Sequence, residues 1–272
     1  METARVLVTH GAQVVGAARD LTKARAATAQ AGADAAPRGG LQLVELDLAC
    51  LASVRACADL LLEAGEPFNA VVANAGVMAL PKGTTVDGFE TQFGTNHLGH
   101  FVLVNRIAGL LKPGGRLVMV SSAGHRCADV DLNDPNFEQT SYDRLTAYRR
   151  SKTANILFAV EFDRRHRARD VRATAVHPGA VLTDTTRKMI QAQPSAASAF
   201  TWKTVAQGAA TSVWAGFVAS PDEVGARYCE DCHTAEVVDD PAVSSGVCSY
   251  ALDPEHAKAL WRKSEEMVRE RF

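Results

Sequence analysis

Two apolar, β-branched segments that each end in small polar residues constrain this chain more than any other feature. Residues 70–76 read Ala-Val-Val-Ala-Asn-Ala-Gly, and residues 115–122 read Gly-Arg-Leu-Val-Met-Val-Ser-Ser. A long helical stretch separates them, which is the pattern of two parallel strands joined by a crossover helix. Because sites in such sheets form at the carboxyl ends of the strands, we expect the polar residues of both segments to lie close together.

A tyrosine and a lysine one helical turn apart follow these segments. Tyr148 and Lys152 lie at positions i and i+4 of a predicted helix, so their side chains share one face. An unperturbed tyrosine titrates near pH ~10 and is a poor acid or base at neutral pH. Since a neighbouring cation lowers the pKa of an acid by roughly 1 to 3 units, we expect Lys152 to lower the pKa of Tyr148. A lysine packed beside a half-buried tyrosine, with no chemical role, is the alternative.

With further motifs in the same order along the chain, these residues resemble the short-chain dehydrogenase/reductase family, in the branch of the retinol dehydrogenases and related carbonyl reductases. The resemblance covers nearly the whole chain. The residues that carry it are Asn74-Ala75-Gly76, Asn96, Ser122, Tyr148, Lys152, Pro178-Gly179, Thr183, Leu260-Trp261 and Ser264. It implies an α/β fold with a Rossmann-like doubly wound parallel sheet, in a single NAD(P)-binding domain over residues 1–272.

The coarse pattern along the chain is alternating strand and helix. The predicted strands are residues 13–18, 41–46, 69–73, 115–121 and 171–177, with a weaker one at 226–229. The predicted helices are residues 1–10, 22–31, 53–64, 87–111, 141–165, 203–219 and 255–270. Turn signals at residues 39–40, 66–67 and 113–115 agree with these boundaries.

The resemblance breaks at the beginning of the chain. Residues 1–10 are similar to the first helix of the family, with Gly11 as its C-terminal stop. In relatives a first strand and a Thr-Gly-x-x-x-Gly-x-Gly turn come directly before that helix, and the glycines let the backbone approach the pyrophosphate of the cofactor. Both are missing here, so we expect an N-terminally incomplete sequence, from a truncated gene model or an internal start; the alternative is a natural chain that has lost dinucleotide binding. The missing strand would lie between the second and fourth strands of the family, and its absence would leave a gap or two long edges.

The resemblance assigns cofactor contacts to the remaining strand ends. Arg19 follows the strand at 13–18, where the family places the group that faces the adenosine ribose. A guanidinium there can pair with a 2'-phosphate, which favours NADP over NAD; Asp20 directly after it leaves open a solvated Arg-Asp turn. The other implied cofactor-binding residues are Asp47, Leu48, Asn74, Ala75, Gly76, Tyr148, Lys152, Pro178, Gly179, Val181 and Thr183.

The implied reaction is reversible hydride transfer between a nicotinamide and a carbonyl or alcohol. The substrate oxygen needs a proton donor and a second hydrogen-bond donor. By resemblance, Tyr148 is the acid/base and Ser122 the second donor. Lys152 stabilises the phenolate and holds the nicotinamide ribose, and Asn96 positions a water that links Lys152 to solvent. On spacing alone Ser121 competes with Ser122, and Asn96 could instead satisfy a kinked helix.

A segment from about residue 185 to 200 is expected to cover the substrate. Met189, Ile190 and Phe200 lie there among small and polar residues, which suits a small to medium lipophilic aldehyde, ketone or alcohol. A retinoid substrate would rest on analogy with the branch alone. The alternative function is a non-catalytic binding or scaffold protein that keeps the fold but does not bind the dinucleotide.

Composition and charge exclude other classes of function. A net charge of −2 predicts neither a nucleic-acid nor a membrane partner. No apolar stretch approaches the ~20 residues that cross a bilayer, and no signal-peptide pattern is present, so we expect a cytoplasmic protein. The segment from Cys229 to His233 matches the pattern C-x-x-C-H, but no second ligand pair accompanies it, and no metal is predicted. Relatives often pair through their long helices, so a homo-oligomer through residues 87–111 and 141–165 is a further expectation.

Overall fold

The computed structural model describes residues 1–192, 198 and 200–272, and strands alternate with helices as the sequence predicts. The first elements are α1 (Glu2–Thr9), β1 (Gln13–Ala18), α2 (Leu21–Ala33), β2 (Gly40–Glu45), α3 (Leu51–Ala64), β3 (Phe68–Ala73), α4 (Thr91–Phe93), α5 (Gly99–Ile107) and β4 (Leu111–Val120). The later elements are α6 (Arg144–His166), β5 (Arg172–His177), β6 (Ala180–Val181), α7 (Asp184–Ala192), β7 (Trp202–Lys203), α8 (Val205–Val213), α9 (Pro221–Val224), β8 (Tyr228–Glu230), β9 (His233–Thr234) and α10 (Pro254–Val268).

The strands form one large sheet and two small ones. The large sheet has the order β3-β4-β5-β8-β9, and all its pairs are parallel except β8–β9. Strands β1 and β2 pair in parallel with each other, as do β6 and β7. Within the described ranges β1 pairs only with β2 and β3 only with β4, so a gap separates the two sheets where the sequence predicts one. The predicted Rossmann-like α/β fold with a mainly parallel sheet is confirmed.

The helix predicted at residues 87–111 is wrong at its start and is not one regular helix. The Glu90 carboxylate accepts from the N–H groups of Gln92 (2.9 Å) and Phe93 (2.6 Å), so the helix begins only at α4. A π-helical turn, Gly94–Leu98, joins α4 to α5. Sequence periodicity does not distinguish this π-helical turn from an α-helix.

The sequence did not predict strands β6, β7 and β9, because each is too short to show the two-residue period of a strand.

The turn predicted at residues 113–115 lies inside β4. The register of β4 with β3 shifts between Phe68 and Ala70, and Gly114 has a φ of 78°. That left-handed backbone favours glycine, so the Pro-Gly-Gly signal produces an irregularity within the strand rather than its start.

Apolar side chains pack on both faces of the large sheet. Along β4, Leu117 and Met119 face the larger cluster, which α3, α5, α6 and α10 cover. Val118 and Val120 face a smaller cluster against a second π-helical turn, Trp214–Val218. This alternation follows from the two-residue period of a strand and places helical structure on both sides of the sheet.

Helix α10 covers the outer faces of α5 and α6. The ring of Trp261 is 2% exposed, and its centroid lies 5.1 Å from that of Phe101 and 5.7 Å from that of Phe158. The Arg165 guanidinium lies 4.0 Å from the centroid of the Trp261 ring. The same chain therefore occupies this part of the two long helices, and an oligomer through them would have to use another part of their surface.

A buried hydrogen bond also joins the π-helical turn before α5 to α10. The Ser264 hydroxyl donates to the main-chain oxygen of Leu260 (2.8 Å), so at 2.8 Å it accepts from Nε2 of His97. Burial lowers the pKa of His97 to about 3, which keeps this ring neutral at pH 7. The contact explains physically why Ser264 belongs to the same sequence pattern as the segment around Asn96.

We expect Trp261→Ala to lower the free energy of unfolding by about 3–5 kcal/mol, because it leaves a cavity between α10 and the aromatic side chains beneath it. Urea denaturation measures this loss. Phe217→Ala is the control, since Phe217 is 42% exposed and its loss creates little cavity. Equal losses in the two variants would contradict the packing role of α10.

Candidate active site

The catalytic side chains predicted from the sequence meet at the carboxyl end of β4. Asp143 caps α6, its Oδ1 accepting from the N–H of Thr146 at 2.7 Å, so the helix begins just before Tyr148. Ser122 follows β4 directly, and its hydroxyl is hydrogen-bonded to that of Tyr148. The Nζ of Lys152 lies 5.7 Å from the centroid of the Tyr148 ring.

The two serines after β4 have different partners. Ser121 is buried, and its hydroxyl donates to the main-chain oxygen of Lys152 at 2.8 Å. The Ser122 hydroxyl accepts from the N–H of Gly124 at 3.0 Å and retains its own hydrogen for Tyr148. Because a hydroxyl has only one hydrogen to donate, Ser121 is committed to α6 and Ser122 is the serine that faces the tyrosine.

Lys152 is 4% exposed and hydrogen-bonded to the backbone of β4. Its Nζ donates to the main-chain oxygen of Val120 at 3.0 Å, and Nδ2 of Asn155 donates to the same oxygen at 3.1 Å. Burial lowers the pKa of Lys152 to about 8 because it disfavours the charged form. We did not identify Asn155 from the sequence; the available signal was an amide directly before the apolar residues 156–160.

The expectation that Lys152 lowers the pKa of Tyr148 is wrong for this arrangement. Burial raises the pKa of Tyr148, and the hydrogen bond with Ser122 offsets only part of that effect. The ammonium is directed at the Val120 carbonyl rather than at the phenol oxygen. The phenol is therefore protonated at neutral pH, the state in which it can donate a proton.

Asn96 lies in the π-helical turn between α4 and α5 and is fully buried. Its Oδ1 accepts from the N–H of Val77 (2.8 Å), and its Nδ2 donates to the oxygen of Val77 (2.9 Å) and to Oγ of Ser151 (2.9 Å). Its main-chain oxygen is 2.9 Å from Nδ1 of His100. The side chain thus holds the segment after β3 against α6.

The segment after β3 approaches the site most closely at Gly76. A Cβ at Gly76 would lie 2.9 Å from Oδ1 of Asn96 and 3.5 Å from Nζ of Lys152. Glycine is therefore required for this approach. Asn74, Ala75 and Gly76 are all exposed, so they present an open surface, rich in backbone, beside the lysine.

The turn after β5 is equally restricted. Gly179 has a φ of 82°, and a Cβ there would lie 2.5 Å from Cδ of Lys203. Lys203 lies over this turn and forms an ion pair with Asp231. Pro178 and Gly179 therefore form a backbone turn in which a side chain at position 179 would be strained and would displace Lys203.

Two further predicted cofactor residues follow this turn. Val181 belongs to β6 and pairs with Lys203 of β7. The Thr183 hydroxyl accepts from the N–H of Thr186 at 3.3 Å, so it caps the first turn of α7. Any contact of Thr183 with a cofactor would share this hydroxyl with its capping role.

Arg19 lies at the end of β1, exposed, and no described side chain pairs with its guanidinium. Asp20 is committed elsewhere: its Oδ1 accepts from the N–H of Lys23 at 2.9 Å, and its Oδ2 lies 3.1 Å from Nζ of the same lysine. Asp20 is thus the N-cap of α2, and both Arg19 and Asp20 are exposed, which is also compatible with the alternative of a solvated Arg-Asp turn. Arg19, Lys23 and Glu45 border one surface cleft.

Asp47 and Leu48, predicted to flank the adenine, lie in different environments. Oδ1 of Asp47 accepts from the N–H of Ala49 at 2.9 Å in a partly exposed turn after β2. Leu48 is buried in the main core, where a Cβ at Gly99 would lie 2.5 Å from its main-chain oxygen. The apolar side chain of Leu48 packs inward against α5, so a contact of Leu48 with the adenine, which stays a prediction, would use its backbone.

The segment predicted to cover the substrate lies partly outside the described residues. The described part of the chain does not include residues 193–197, residue 199 or the side chain of Met189. Ile190 lies in α7, and the exposed ring of Phe200 packs against Trp202 with centroids 5.5 Å apart. The described ends of this segment therefore carry apolar side chains.

The C-x-x-C-H motif is spread over β8, β9 and the turn between them. Cys229 is buried with its sulfur 3.4 Å from Oγ1 of Thr174, whereas Cys232 and His233 are exposed. Across the part of the chain that the structure describes, no three His, Cys, Asp or Glu residues are grouped to hold a metal ion. Nor is any helix in the described ranges long and apolar enough to cross a membrane.

Known proteins share this fold and sequence pattern. The sequence model of the family described as short chain dehydrogenase matches residues 1–194. Retinol dehydrogenase 14 of Mus musculus is 38% identical over 282 residues, covering 98% of this chain and 81% of that protein. The crystal structure of an uncharacterized protein from Mycobacterium Paratuberculosis gives a TM-score of 0.78 at 34% identity, over 99% of this chain and 89% of that one. The angucycline C-6 ketoreductase LanV, solved with bound NADP, shares the fold with a TM-score of 0.66 at 22% identity, over 85% and 88% of the two chains. This chain therefore belongs to the short-chain dehydrogenase/reductase family of oxidoreductases, in its retinol dehydrogenase-like branch.

Proposed function

We propose that this protein is an NADP-dependent oxidoreductase that interconverts a carbonyl group and an alcohol. The observation that carries the proposal is the joint position of Tyr148, Ser122 and Lys152 at the end of β4. Gly76 lies beside them, where a Cβ would be 3.5 Å from Nζ of the lysine. This places a proton donor, a second hydrogen-bond donor and a cation beside an open surface. Membership of an oxidoreductase family supports the same chemistry.

The chain's own residues have separate tasks in this reaction. A bound nicotinamide supplies the hydride for reduction. The protonated Tyr148 phenol donates a proton to the substrate oxygen, and the Ser122 hydroxyl donates a second hydrogen bond to it. The Lys152 ammonium is the charged donor for a ribose hydroxyl, and Asn96 holds the segment after β3 in place beside it.

The residues present fit a phosphorylated dinucleotide. Gly76 and Gly179 stand where side chains would collide with their neighbours, so the backbone is open to a close-lying ligand at both turns. The exposed guanidinium of Arg19, which no described side chain pairs with, suits a 2'-phosphate, since Asp20 is already bound to Lys23. The bound NADP of LanV supports the cofactor class, and we extend it to this chain on these grounds.

The substrate that we propose is a small to medium lipophilic aldehyde, ketone or alcohol. The exposed Phe200 and the neighbouring Trp202 ring support an apolar approach to the site. Retinol, after which the similar retinol dehydrogenase 14 of Mus musculus is named, is one member of this class.

One observation favours the second candidate, a scaffold protein that does not bind the dinucleotide. Strands β1 and β3 do not pair within the described residues, so the surface that carries Arg19 belongs to a different sheet from the one that carries Tyr148. Titration of NADPH and NADH into the purified chain, followed by nicotinamide fluorescence, separates the candidates. Binding of NADPH supports the oxidoreductase, whereas a folded chain that binds neither supports the scaffold.

We expect Arg19→Ala to weaken NADPH binding by about 10- to 150-fold, because a charge-assisted hydrogen bond contributes roughly 1.5–3 kcal/mol. The affinity for NADH, which has no 2'-phosphate, should not change. Arg25→Ala on the exposed side of α2 is the matched control. Parallel losses for both cofactors would argue against Arg19 as the phosphate contact.

We expect Tyr148→Phe to reduce turnover by about 10²-fold or more, because it removes the proton donor, while NADPH affinity is retained. Steady-state kinetics and the fluorescence titration measure the two quantities. Tyr228→Phe is the control, since the buried Tyr228 hydroxyl has no hydrogen-bond partner in the described part of the chain and its removal costs little. Unchanged turnover in Tyr148→Phe would reject the assigned role.

We expect NADPH binding to weaken as the pH rises through about 8, because Lys152 then loses the charge that contacts the cofactor. Binding favours the charged lysine, so the affinity is highest below that pH. Lys152→Arg keeps its charge at all these pH values and should show no such break. A wild-type affinity that stays constant up to about pH 9.5 would show that the ammonium makes no contribution.

A further inference from the structure

The main-chain oxygen of Val120 has two donors from one helix. Nζ of Lys152 lies 3.0 Å from it and Nδ2 of Asn155 lies 3.1 Å from it. Strand β3 pairs with β4 only as far as Met119, opposite Ala73, so Val120 lies beyond the last β3–β4 pair. Side chains of α6 therefore hydrogen-bond to the backbone of β4 at the point where its pairing with β3 stops.

Two donors on one carbonyl fill both of its lone pairs. In the cofactor-free arrangement either donor alone would satisfy this oxygen. The second donor becomes necessary only when the first one leaves, because a buried carbonyl without any partner is costly.

Asn155 is 1% exposed, and its other polar atom, Oδ1, has no hydrogen-bond partner among the residues that the structure describes. An unpaired buried amide oxygen is itself unfavourable. An apolar side chain of the same size would avoid that cost, so packing and stability alone do not explain an asparagine at this position.

In the proposed function the ammonium of Lys152 contacts the cofactor, whereas in this structure it donates to the main-chain oxygen of Val120. We propose that Asn155 is a positioning residue that keeps the Val120 carbonyl hydrogen-bonded while Lys152 turns its ammonium from that carbonyl to the cofactor. The inference rests on the proposed nicotinamide cofactor. In this arrangement Asn155 offsets the free-energy cost of releasing Lys152 from Val120, and Lys152 makes the contact with the cofactor.

This role has a further structural consequence. Val120 directly precedes Ser121, whose hydroxyl is bonded to the oxygen of Lys152, and Ser122, which faces Tyr148. Asn155 therefore keeps the distance between the end of β4 and α6 fixed, whether Lys152 contacts Val120 or the cofactor. Without Asn155, movement of Lys152 would leave the Ser121 bond alone to fix that distance.

The test is Asn155→Leu, which keeps the number and branching of the side-chain heavy atoms. It removes the donor to Val120 and the unpaired Oδ1 together, and Lys152 still satisfies Val120 in the free chain, so urea denaturation without cofactor should differ little from wild type. NADPH affinity, measured by nicotinamide fluorescence, should fall by about 10-fold, because Lys152 can leave Val120 only by exposing an unpaired carbonyl. At saturating NADPH we expect kcat to stay near the wild-type value, so that the loss appears in the KM for NADPH.

Thr153→Val is the matched control. Thr153 is also buried on α6, and its hydroxyl donates to the main-chain oxygen of Ala128 at 2.7 Å, so the variant likewise removes one bond between this helix and a neighbouring backbone. Its NADPH affinity should equal that of wild type. Asn155→Ala, compared with Thr153→Ala, repeats the test if the leucine does not fit.

The outcomes separate this inference from the proposed function. Wild-type affinity in Asn155→Leu, or equal losses in the Asn155 and Thr153 variants, would overturn the positioning role and leave the oxidoreductase assignment intact. Failure of the wild-type chain to bind NADPH or NADH would overturn both.

Discussion

The junction between β4 and α6 is the constraint on which the candidate site depends. Three hydrogen bonds form it: the Ser121 hydroxyl to the oxygen of Lys152, and Nζ of Lys152 and Nδ2 of Asn155 to the oxygen of Val120. They satisfy polar groups that would otherwise be buried without partners at the end of a strand. The same bonds fix the helix that carries Tyr148 over the residue that carries the second donor, so backbone satisfaction and catalytic geometry have a common physical cause.

Burial determines the charges at this junction. It lowers the pKa of Lys152 to about 8 and raises that of Tyr148, and each shift favours the neutral form. The structure without a cofactor is thus a proton-donating state, with a neutral phenol and a lysine whose charge is only moderately stable. A bound dinucleotide would change this balance by giving the ammonium a new partner, which is why the release of Lys152 from Val120 is the step that we regard as most informative.

Long-range packing connects the site to the end of the chain. Trp261 of α10 covers Phe101 and Phe158, and Ser264 of the same helix binds His97, which directly follows Asn96. The segment near residue 260 that carries part of the family resemblance therefore packs against the elements that carry the proposed catalytic residues. The region around Arg19 is more independent, since β1 and β2 form a sheet of their own.

The sequence by itself determined the alternation of strands and helices, the polar strand ends, and the common face of Tyr148 and Lys152, because these follow from local periodicity and from the order of motifs. Only the tertiary structure decided that Ser122 and not Ser121 faces the tyrosine, that Leu48 packs into the core, and that a π-helical turn carries Asn96. It also reversed the expected direction of the Tyr148 pKa and revealed Asn155. These features depend on desolvation and on contacts between residues far apart in the chain, such as Val120 with Lys152 and Leu48 with Gly99, and no local pattern encodes such contacts.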